Sequence, residues 1–545
     1  MKHRILTLLC IALCTQCLSA KEDTYFAVAK NLDLFNSIVK ELQLHYVDSI
    51  PVDKIVRAGI NGMLKTLDPY TNYISAEEGN DFKYMTTGGY AGVGAIISKH
   101  GDQIVIEHVY EDTPSKREGL KAGDCILELD GKSTKGKDVE EVSSILRGTP
   151  GTNVKIKYLR YGSKKSTTIE LTREHIHISS VEYAGMISEG VAYVKLKSFT
   201  ENSATELKTA LKQLQAQGMR NLILDLRDNP GGLITESINI ANLFLPKGET
   251  VVTTREKGNK IDRVYKTASM PEYLALPLVV LVNDDSASAS EIVSGALQDL
   301  DRAVIVGTRT FGKGLVQATY PLPYDGQLKV TTSKYYIPSG RCIQALNYYA
   351  ADQSKNGQIP DSLTSEFKTR KGRVVRDGRG ISPDIEVKND TVSTVILEYL
   401  FEHFLFFDYV NEYCLKHDNV APANKFVFDD NDYADFKQFV LGKNIPYTSD
   451  AEEYIDGIVE ILKYENRYTT KAAADIEALR ESLKPDLATE LDINRKYVTL
   501  YLTSSILQRY YPQGGIEAMI PDDKVINKGI EILNDQKRYK EILSK

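Results

Sequence analysis

The residues with the clearest chemical potential surround Ser288, in a run of small and polar residues after the strongly apolar segment Leu278–Val282. An apolar strand that passes through a short polar turn into a helix places such a serine at the helix N-terminus. There, unpaired N–H groups and the positive end of the helix dipole can stabilise a developing oxyanion. The position suits nucleophilic attack by the serine hydroxyl. Ser288 and Glu291 also match a helix-capping box, which is a purely structural role.

A serine nucleophile needs a base, and the candidate in this chain is Lys313. The sequence has eight histidines, but none lies between His177 and His403. A lysine can act as the base when desolvation lowers its pKa towards neutrality. Lys313 stands between two glycines that permit a tight turn, and Gln317 follows four residues later, where it could hydrogen-bond the lysine amine. The structural alternative is a solvated lysine in a Gly-rich turn.

A third motif, Asp225–Gly232, reads Asp-Leu-Arg-Asp-Asn-Pro-Gly-Gly and is predicted to end a strand and turn into a helix. Free N–H groups at Gly231 or Gly232 could supply an oxyanion donor. A plain strand-to-helix turn is the alternative. The sequence contains neither a His-Glu-x-x-His pattern nor a phosphate-loop pattern, so no metal and no other cofactor is predicted.

The segments that must position these motifs alternate between strands and helices, which indicates an α/β layer for residues 176–390. Each of the three motifs follows one of the predicted strands. Strands are predicted at Val191–Phe199, Leu222–Leu226, Leu278–Val282 and Ala303–Gly307, and helices at Glu201–Gln217, Leu233–Leu245 and Ser288–Leu300.

Three further regions differ from this layer in their patterning. Residues 21–85 and 391–545 show helical periodicity, whereas residues 86–175 are predicted to form a small β-rich module with one amphipathic helix, Asp138 to Arg147. The C-terminal region contains the apolar and aromatic stretch Val392–Val410. Because charged residues interrupt this stretch, a buried or subunit-interface helix is favoured over contact with a membrane, which stays open as an alternative.

The first 20 residues are predicted to be an export signal. They comprise a basic start, an apolar segment and a small-residue cleavage site, at Lys2–Arg4, Ile5–Leu13 and Ser19-Ala20. We expect an exported protein, periplasmic in a diderm bacterium, without a membrane-spanning segment once the signal is removed. The alternatives are an uncleaved anchor or a lipid on Cys14 or Cys17.

The net charge and the cysteine content limit which partners and which disulfides are expected. The net charge of −7 and the lack of a long Lys/Arg run disfavour nucleic acid as a partner. Cys125, Cys342 and Cys414 remain after the signal. Because they are odd in number and far apart, no disulfide framework is predicted even for an exported chain.

Taken together, the motifs resemble those of the carboxyl-terminal processing peptidases, or tail-specific proteases. The family signature is similar to Ser-Ala-Ser-Ala-Ser-Glu followed by Phe-Gly-Lys-Gly, and here Lys313 follows Ser288 by 25 residues. The Asp-Leu-Arg-x-Asn-Pro-Gly-Gly turn also matches, as do Thr332–Arg341 and Ile381–Asp384. The resemblance covers about residues 25–390. It implies an α+β multidomain protein: a crotonase-like α/β core with an inserted β-rich PDZ domain and helical N- and C-terminal regions.

The resemblance also implies an active site and a reaction, namely peptide hydrolysis through an acyl-enzyme. Ser286 and Ser290 are the nearest competitors for nucleophile, and the spacing to the lysine disfavours both. The implied roles are Ser288 as nucleophile, Lys313 as general base, Gln317 as the residue that orients the lysine, Ala289 with Gly231 or Gly232 as oxyanion donors, and Glu291 as a support from the helix.

In the β-rich module, Ala91–Ala95 resembles the carboxylate-binding loop of a PDZ domain, and Gly119–Gly131 matches a segment typical of bacterial PDZ domains. The expected ligands are proteins with apolar, unstructured C-termini, which would add as a strand. Occupancy would bring Lys313 into reach of Ser288. The residues assigned to the peptide are Gly92, Val93, Gly94, Ala95 and, as a coupling residue, Arg147.

Two other functional classes compete with this interpretation. One is a PDZ-bearing pseudoenzyme that captures C-termini without cutting, which the presence of Ser288, Lys313 and Gln317 disfavours. The other is an acyl-CoA enzyme of the crotonase fold, which the export signal and the PDZ module disfavour. A homodimer and an adaptor both stay open as further partners.

Overall fold

The computed structural model describes residues 25–256, 262–346, 348, 361–388, 394–447, 450–483 and 486–544. The predicted signal at residues 1–20, with Cys14 and Cys17, lies outside the described residues. Internal contacts divide the chain into two compact units. The smaller comprises the described residues up to Gly79 with Gln317–Thr332 and Tyr348, and the larger comprises the other described residues.

The N-terminal part of the smaller unit is helical, as the sequence predicts for residues 21–85. Its elements are α1 (residues 25–45), α2 (Val52–Lys65) and the short strand β1 (Asn72–Ile74). Strand β1 pairs antiparallel with the segment Gln317–Thr332, with Asn72 opposite Lys329 and Ile74 opposite Gln327.

Strands β2 to β9 lie between Gly89 and His177, where the sequence predicts a β-rich module over residues 86–175, and helix α3 precedes them. Strands β3, β4, β5, β7 and β8 follow one another in an antiparallel sheet, and β6 lies beside β5. The elements are α3 (Gly79–Thr87), β2 (Gly89–Gly92), β3 (Ala95–His100), β4 (Gln103–Val109), α4 (Pro114–Arg117), β5 (Cys125–Leu129), β6 (Lys132–Ser133), α5 (Val139–Leu146), β7 (Asn153–Leu159), β8 (Ser166–Thr172) and β9 (Glu174–His177).

The chain enters and leaves the module through a two-stranded ribbon, because β2 and β9 pair antiparallel with Gly89 opposite His177. Its predicted amphipathic helix is α5, with Asp138 as the N-cap and Arg147 as the C-cap. The buried side of α5 contributes Val142 and Leu146 to the core of the module.

The predicted α/β layer is also confirmed, and all four strands and three helices named above are present within a few residues. The elements are β10 (Val181–Ser188), β11 (Val191–Leu196), α6 (Ser203–Ala216), β12 (Asn221–Asp225), α7 (Ile234–Asn242), β13 (Thr250–Glu256), β14 (Asp262–Lys266), β15 (Leu278–Val282), α8 (Ala289–Asp299), β16 (Val304–Gly307), β17 (Leu315–Pro321), β18 (Gln327–Tyr336), β19 (Glu366–Lys368), β20 (Val374–Arg376) and β21 (Ile385–Glu386).

Six of these strands form the central sheet, in the order β10-β11-β12-β15-β16-β21. All neighbours are parallel except β10 and β11. Parallel strands covered on both faces are expected to be apolar throughout, and β15 is buried at every position. Its Leu278, Val280 and Val282 pack with helices α6 to α8, while Val279 and Leu281 face the opposite side.

The C-terminal region is helical in its described part, as predicted, and its last helices cover the second face of the central sheet. Val525, Ile526, Ile532 and Leu533 pack against β12, β15 and β16 there. The helices are α9 (Thr394–Glu402), α10 (Leu405–Lys416), α11 (Asp430–Gly442), α12 (Asp450–Tyr464), α13 (Thr470–Leu483), α14 (Leu487–Ile493), α15 (Arg495–Tyr510), α16 (Gly514–Met519), α17 (Lys524–Asn534) and α18 (Gln536–Ile542).

In its described part, residues 394–410, the predicted aromatic stretch forms α9 and the first half of α10. Phe406 is buried in the helical core, and the Phe404 ring stacks on His100 of the β-rich module with 3.6 Å between ring centres. These contacts agree with the predicted buried helix. Of the helices in the described ranges, none is long and apolar enough to cross a bilayer.

A substitution in α17 tests whether the C-terminal helices belong to the core. Ile532 is fully buried against the sheet, so Ile532→Ala should lower the free energy of unfolding by about 2–5 kcal/mol. The matched control is Ile461→Ala on α12, because Ile461 is exposed. Urea unfolding measures both. Equal effects of the two substitutions would contradict the packing described.

Candidate active site

Ser288 lies where the sequence predicts it, immediately before α8 at the end of the turn that follows β15. Its backbone has φ 55° and ψ −109°, a left-handed conformation that non-glycine residues rarely adopt. Such a conformation costs about 1–3 kcal/mol and persists only where the surroundings enforce it. A strained strand–turn–helix junction of this kind projects a serine hydroxyl away from the sheet.

The two competing serines of the motif have structural roles. Ser286 and Ser290 are fully buried, and their hydroxyls donate to the carbonyl oxygens of Leu226 and Asn229 at 2.7 and 2.9 Å. Ser288 is partly exposed. Of the three, Ser288 is therefore the one that can present its hydroxyl to a substrate.

Glu291 connects the Ser288 turn to the Lys313 loop. Its carboxylate is fully buried and accepts four hydrogen bonds. Oε2 accepts from the N–H groups of Ser288 and Lys313, each at 2.9 Å, and Oε1 accepts from the Gly312 N–H and the Thr310 hydroxyl at 2.7 and 2.6 Å. Burial raises the pKa of Glu291, and the hydrogen bonds oppose that shift.

The shared acceptor fixes the distance between the two candidate catalytic residues. Because the Ser288 and Lys313 N–H groups donate to one oxygen, the two nitrogens lie less than about 6 Å apart. A separation of 25 residues in the chain is thereby closed into one site. The Lys313 side chain is partly buried.

The far side of the lysine loop is held by the segment after β18. The Gly314 N–H donates to Oε1 of the buried Gln344 at 2.8 Å, and the Ala345 N–H donates to the Gly312 carbonyl at 2.9 Å. Gly312 has φ +87°, and a Cβ there would lie 2.4 Å from the Cβ of Ala345. The glycine next to Lys313 is required by this close approach.

The Pro-Gly-Gly turn lies directly against Ser288. Gly231 has φ +102°, and a Cβ on it would lie 2.8 Å from both the Ala289 nitrogen and the Ser288 Cβ. Its own N–H donates to Oδ1 of Asn229 at 2.9 Å. Asn229 is buried and donates in turn to the Leu196 carbonyl at 2.7 Å.

These bonds distinguish the two glycines predicted as oxyanion donors. The Gly231 N–H already donates to Asn229 Oδ1, which favours Gly232, and both assignments stay predictions. Phe199 forms backbone hydrogen bonds with the Gly231 carbonyl and the Leu233 N–H, so the Gly232 N–H between them faces the opposite way. Among the described residues, neither the Gly232 N–H nor the Ala289 N–H donates a hydrogen bond to a protein acceptor.

Gln317 belongs to the smaller unit. It lies on β17, and its Nε2 donates to the Thr331 hydroxyl at 3.2 Å. Its assignment as the residue that orients Lys313 stays a prediction.

Sequence reasoning missed several residues that shape the site. Among them, the buried Tyr335 donates from its hydroxyl to the Ser288 carbonyl at 3.2 Å. Their position next to the family motifs was the only signal available, because polar residues of this kind are usually exposed. The missed residues are Asn229, Thr310, Tyr335 and Gln344.

The predicted carboxylate loop connects β2 to β3, with Val93 buried at its tip. The Tyr90 ring lies across it, since a Cβ on Gly92 would stand 2.7 Å from the Tyr90 Cε2. The Arg147 guanidinium lies over the same ring, 5.9 Å from its centre. Gly92 and Arg147 are thus brought together at Tyr90, which the sequence did not single out, and Val93, Gly94 and Ala95 follow Gly92 in the loop.

Tyr90 also contacts the loop through its hydroxyl. The Gly94 N–H lies close enough to the phenol oxygen to lower the pKa of Tyr90. Burial, with a smaller effect of Tyr84, raises the pKa of Tyr90 to about 12, against the opposing effects of Arg147 and of the Gly94 N–H. The phenol is therefore neutral at physiological pH.

The fold and the site together define a serine peptidase that carries a PDZ domain. Three family models match in the order of the observed regions: a PDZ domain at residues 105–160, peptidase family S41 at residues 190–348, and "Probable PDZ-protease, C-terminal helical domain" at residues 396–533. The chain belongs to peptidase family S41 and is a C-terminal processing serine peptidase.

Known relatives carry the same description. A "Carboxy-terminal-processing protease" of Bartonella bacilliformis is 38% identical over 332 residues, which are 60% of this chain and 74% of that protein. A "Probable CtpA-like serine protease" of Staphylococcus aureus is 36% identical over 57% of this chain and 62% of its own. Among solved structures, a photosystem II D1 C-terminal processing protease is 26% identical, with 65% of this chain and 92% of that chain covered and a TM-score of 0.33.

The Glu291 carboxylate gives a direct test of the site. In Glu291→Gln an NH₂ group would face two of the four donors, so we expect the free energy of unfolding to fall by about 2–4 kcal/mol. We also expect a large loss of kcat in the protein that remains folded. Urea unfolding and peptide hydrolysis measure these effects. The matched control is Glu460→Gln on the exposed face of α12.

Similar stability and activity in the two glutamine variants would show that the four hydrogen bonds to Glu291 do not hold the site.

Proposed function

We propose that the mature chain is an exported endopeptidase that hydrolyses peptide bonds through an acyl-enzyme on Ser288, with Lys313 as the general base. The single observation that carries the proposal is the Glu291 oxygen that the N–H groups of Ser288 and Lys313 share. It supports a nucleophile and a base held on neighbouring backbone segments, from which the lysine amine can reach the serine hydroxyl.

In the proposed first step, the neutral Lys313 amine takes the hydroxyl proton as Ser288 Oγ attacks the carbonyl carbon. The C–N bond then breaks, and the lysine ammonium returns the proton to the leaving amine. Lys313 then takes a proton from the water that attacks the ester carbon. The C–O bond to Ser288 breaks, and the lysine ammonium returns the proton to Ser288 Oγ. This sequence of steps requires a neutral lysine amine.

The oxyanion formed in both halves of the reaction would be held by the N–H groups of Ala289 and Gly232. One support is the close approach of Gly231 to the Ala289 nitrogen. Another is that, among the described residues, neither of these two N–H groups donates to a protein acceptor. Donors that are fixed before the reaction stabilise the developing charge without reorganisation. Gln317 is proposed to orient the lysine amine, and the core is proposed to be of the crotonase type.

The PDZ domain is proposed to select substrates by their C-termini. A terminal carboxylate would bind the N–H groups of the Gly92–Ala95 loop near Arg147, and the preceding apolar residues would add to β3 as a strand. Unstructured, apolar-tailed proteins are the expected class because only a free chain end can enter in this way. Export through residues 1–20, to the periplasm of a diderm bacterium, is part of this proposal.

Cleavage of an unfolded reporter with an apolar C-terminal tail tests the catalytic assignment. We expect Ser288→Ala and Lys313→Met each to lower kcat by about a thousandfold or more. Ser290→Ala is the matched control, because its hydroxyl is buried and bonded to Asn229. Intact-mass analysis of the products measures the result. Cleavage by Ser288→Ala at the parent rate would place the nucleophile elsewhere.

The Tyr90 hydroxyl gives a test of the peptide site. Because it lies beside the Gly94 N–H, it would compete with an incoming carboxylate for that donor, so Tyr90→Phe should bind an apolar C-terminal peptide about two- to tenfold more tightly. Fluorescence anisotropy measures the Kd on the Ser288→Ala background.

The control for the Tyr90 test is the same peptide with a C-terminal amide, whose Kd should be unchanged in Tyr90→Phe. An equal gain for the acid and the amide would remove the carboxylate from the proposed contact.

A further inference from the structure

An ion pair connects the C-terminal helices to the strand end that precedes the Pro-Gly-Gly turn. Arg227 Nη1 lies 2.8 Å from Asp523 Oδ2, and the two side chains are only 12% and 20% exposed. The other oxygen of Asp523 caps α17, where it accepts from the N–H groups of Val525 and Ile526 at 2.8 and 2.9 Å. The two oxygens of one carboxylate thus serve a helix and the strand end.

Arg227 is also held from the opposite side. Asp225, fully buried at the end of β12, accepts from the Arg227 N–H and from its Nε–H at 2.9 Å. The Tyr193 hydroxyl donates to the same carboxylate at 2.8 Å. Planar guanidinium groups have a fixed geometry, so acceptors on two sides leave Arg227 one orientation.

Hydrogen bonds of the residues that follow Arg227 connect it to the Pro-Gly-Gly turn. Asp228 and Asn283 form two reciprocal hydrogen bonds, at 3.0 and 2.7 Å, which join the turn to the end of β15. Asn229 then holds the Gly231 N–H. From Arg227 to Gly231 the backbone is therefore fixed by polar contacts, and it ends against Ser288.

We propose that Asp523 is a positioning residue for catalysis, which acts through Arg227 to fix the turn that presents the Gly232 N–H to the oxyanion. The C-terminal helical region is then part of the peptidase site. The proposal rests on the oxyanion role of Gly232 in the proposed function. The apolar contacts of Ile526, Ile532 and Leu533 hold α17 on the sheet. The ion pair of Asp523 is therefore assigned to positioning Arg227 and not to docking the helix.

Asp523→Asn separates the two roles of this side chain. Asparagine is as good an N-cap as aspartate, so the oxygen that caps α17 is kept. The amide presents an NH₂ group to Arg227 and removes the ion pair. The matched control is Asp535→Asn, because Asp535 caps the next helix, α18, by accepting from the Arg538 N–H at 3.0 Å.

The measurements are kcat and KM on an apolar-tailed peptide, and the inhibition constant of a peptide boronic acid, which forms a tetrahedral adduct on the serine. We expect Asp523→Asn to lower kcat about tenfold and to raise the inhibition constant of the boronic acid by a similar factor, with KM unchanged. Asp535→Asn should leave all three values unchanged. A residue that only stabilises the fold would not split kcat from KM in this way.

Equal values for the two asparagine variants in a parent that is active through Ser288 would overturn the role of Asp523 alone. A parent without Ser288-dependent hydrolysis would instead overturn the proposed function. If Asp523→Asn fails to fold, Asp523→Ser keeps a good N-cap without the charge and should give the same split. Asp523→Glu should restore at least part of the lost kcat.

Discussion

The active site depends on one buried carboxylate. Glu291 is removed from water at a cost that only its four hydrogen bonds can offset. Those bonds come from two segments that are distant in sequence, the Ser288 turn and the residues from Thr310 to Lys313. The requirement to satisfy a buried charge therefore brings Ser288 and Lys313, the proposed nucleophile and base, together, and it also gives the strained Ser288 backbone a fixed partner.

The central sheet positions the loops that surround the Glu291 carboxylate. Because β12, β15 and β16 are apolar on both faces, they need helices on both sides. One face receives α6 to α8, and the other receives α17 and its neighbours from the C-terminal region. Three loops near the ends of these strands supply the site: the Pro-Gly-Gly turn after β12, the serine turn after β15 and the lysine loop after β16. The C-terminal helices thus complete the core that holds the three loops.

Much of this arrangement could be predicted from sequence, because its signals are local. The apolar run Leu278–Val282 is β15 as predicted, and the spacing of Ser288 and Lys313 identified the family. Longer-range features could not be predicted. The strands β13 and β18 pair although Thr253 and its partner Tyr336 are far apart in the chain, and the hydrogen bond from the Gly231 N–H to Asn229 favours Gly232 as the proposed donor. Tyr90 was missed because a tyrosine on a strand carries no signal of its contact with Gly94.

The central claim is that Glu291 holds Ser288 and Lys313 in one working site. The most direct measurement is the rate at which a peptidyl diphenyl phosphonate labels the protein, with the labelled residue identified by peptide mapping. The account predicts a single adduct on Ser288, formed much more slowly in folded Glu291→Gln although Ser288 itself is unchanged. Labelling of Ser288 at the parent rate in that variant, or an adduct on another serine, would contradict it.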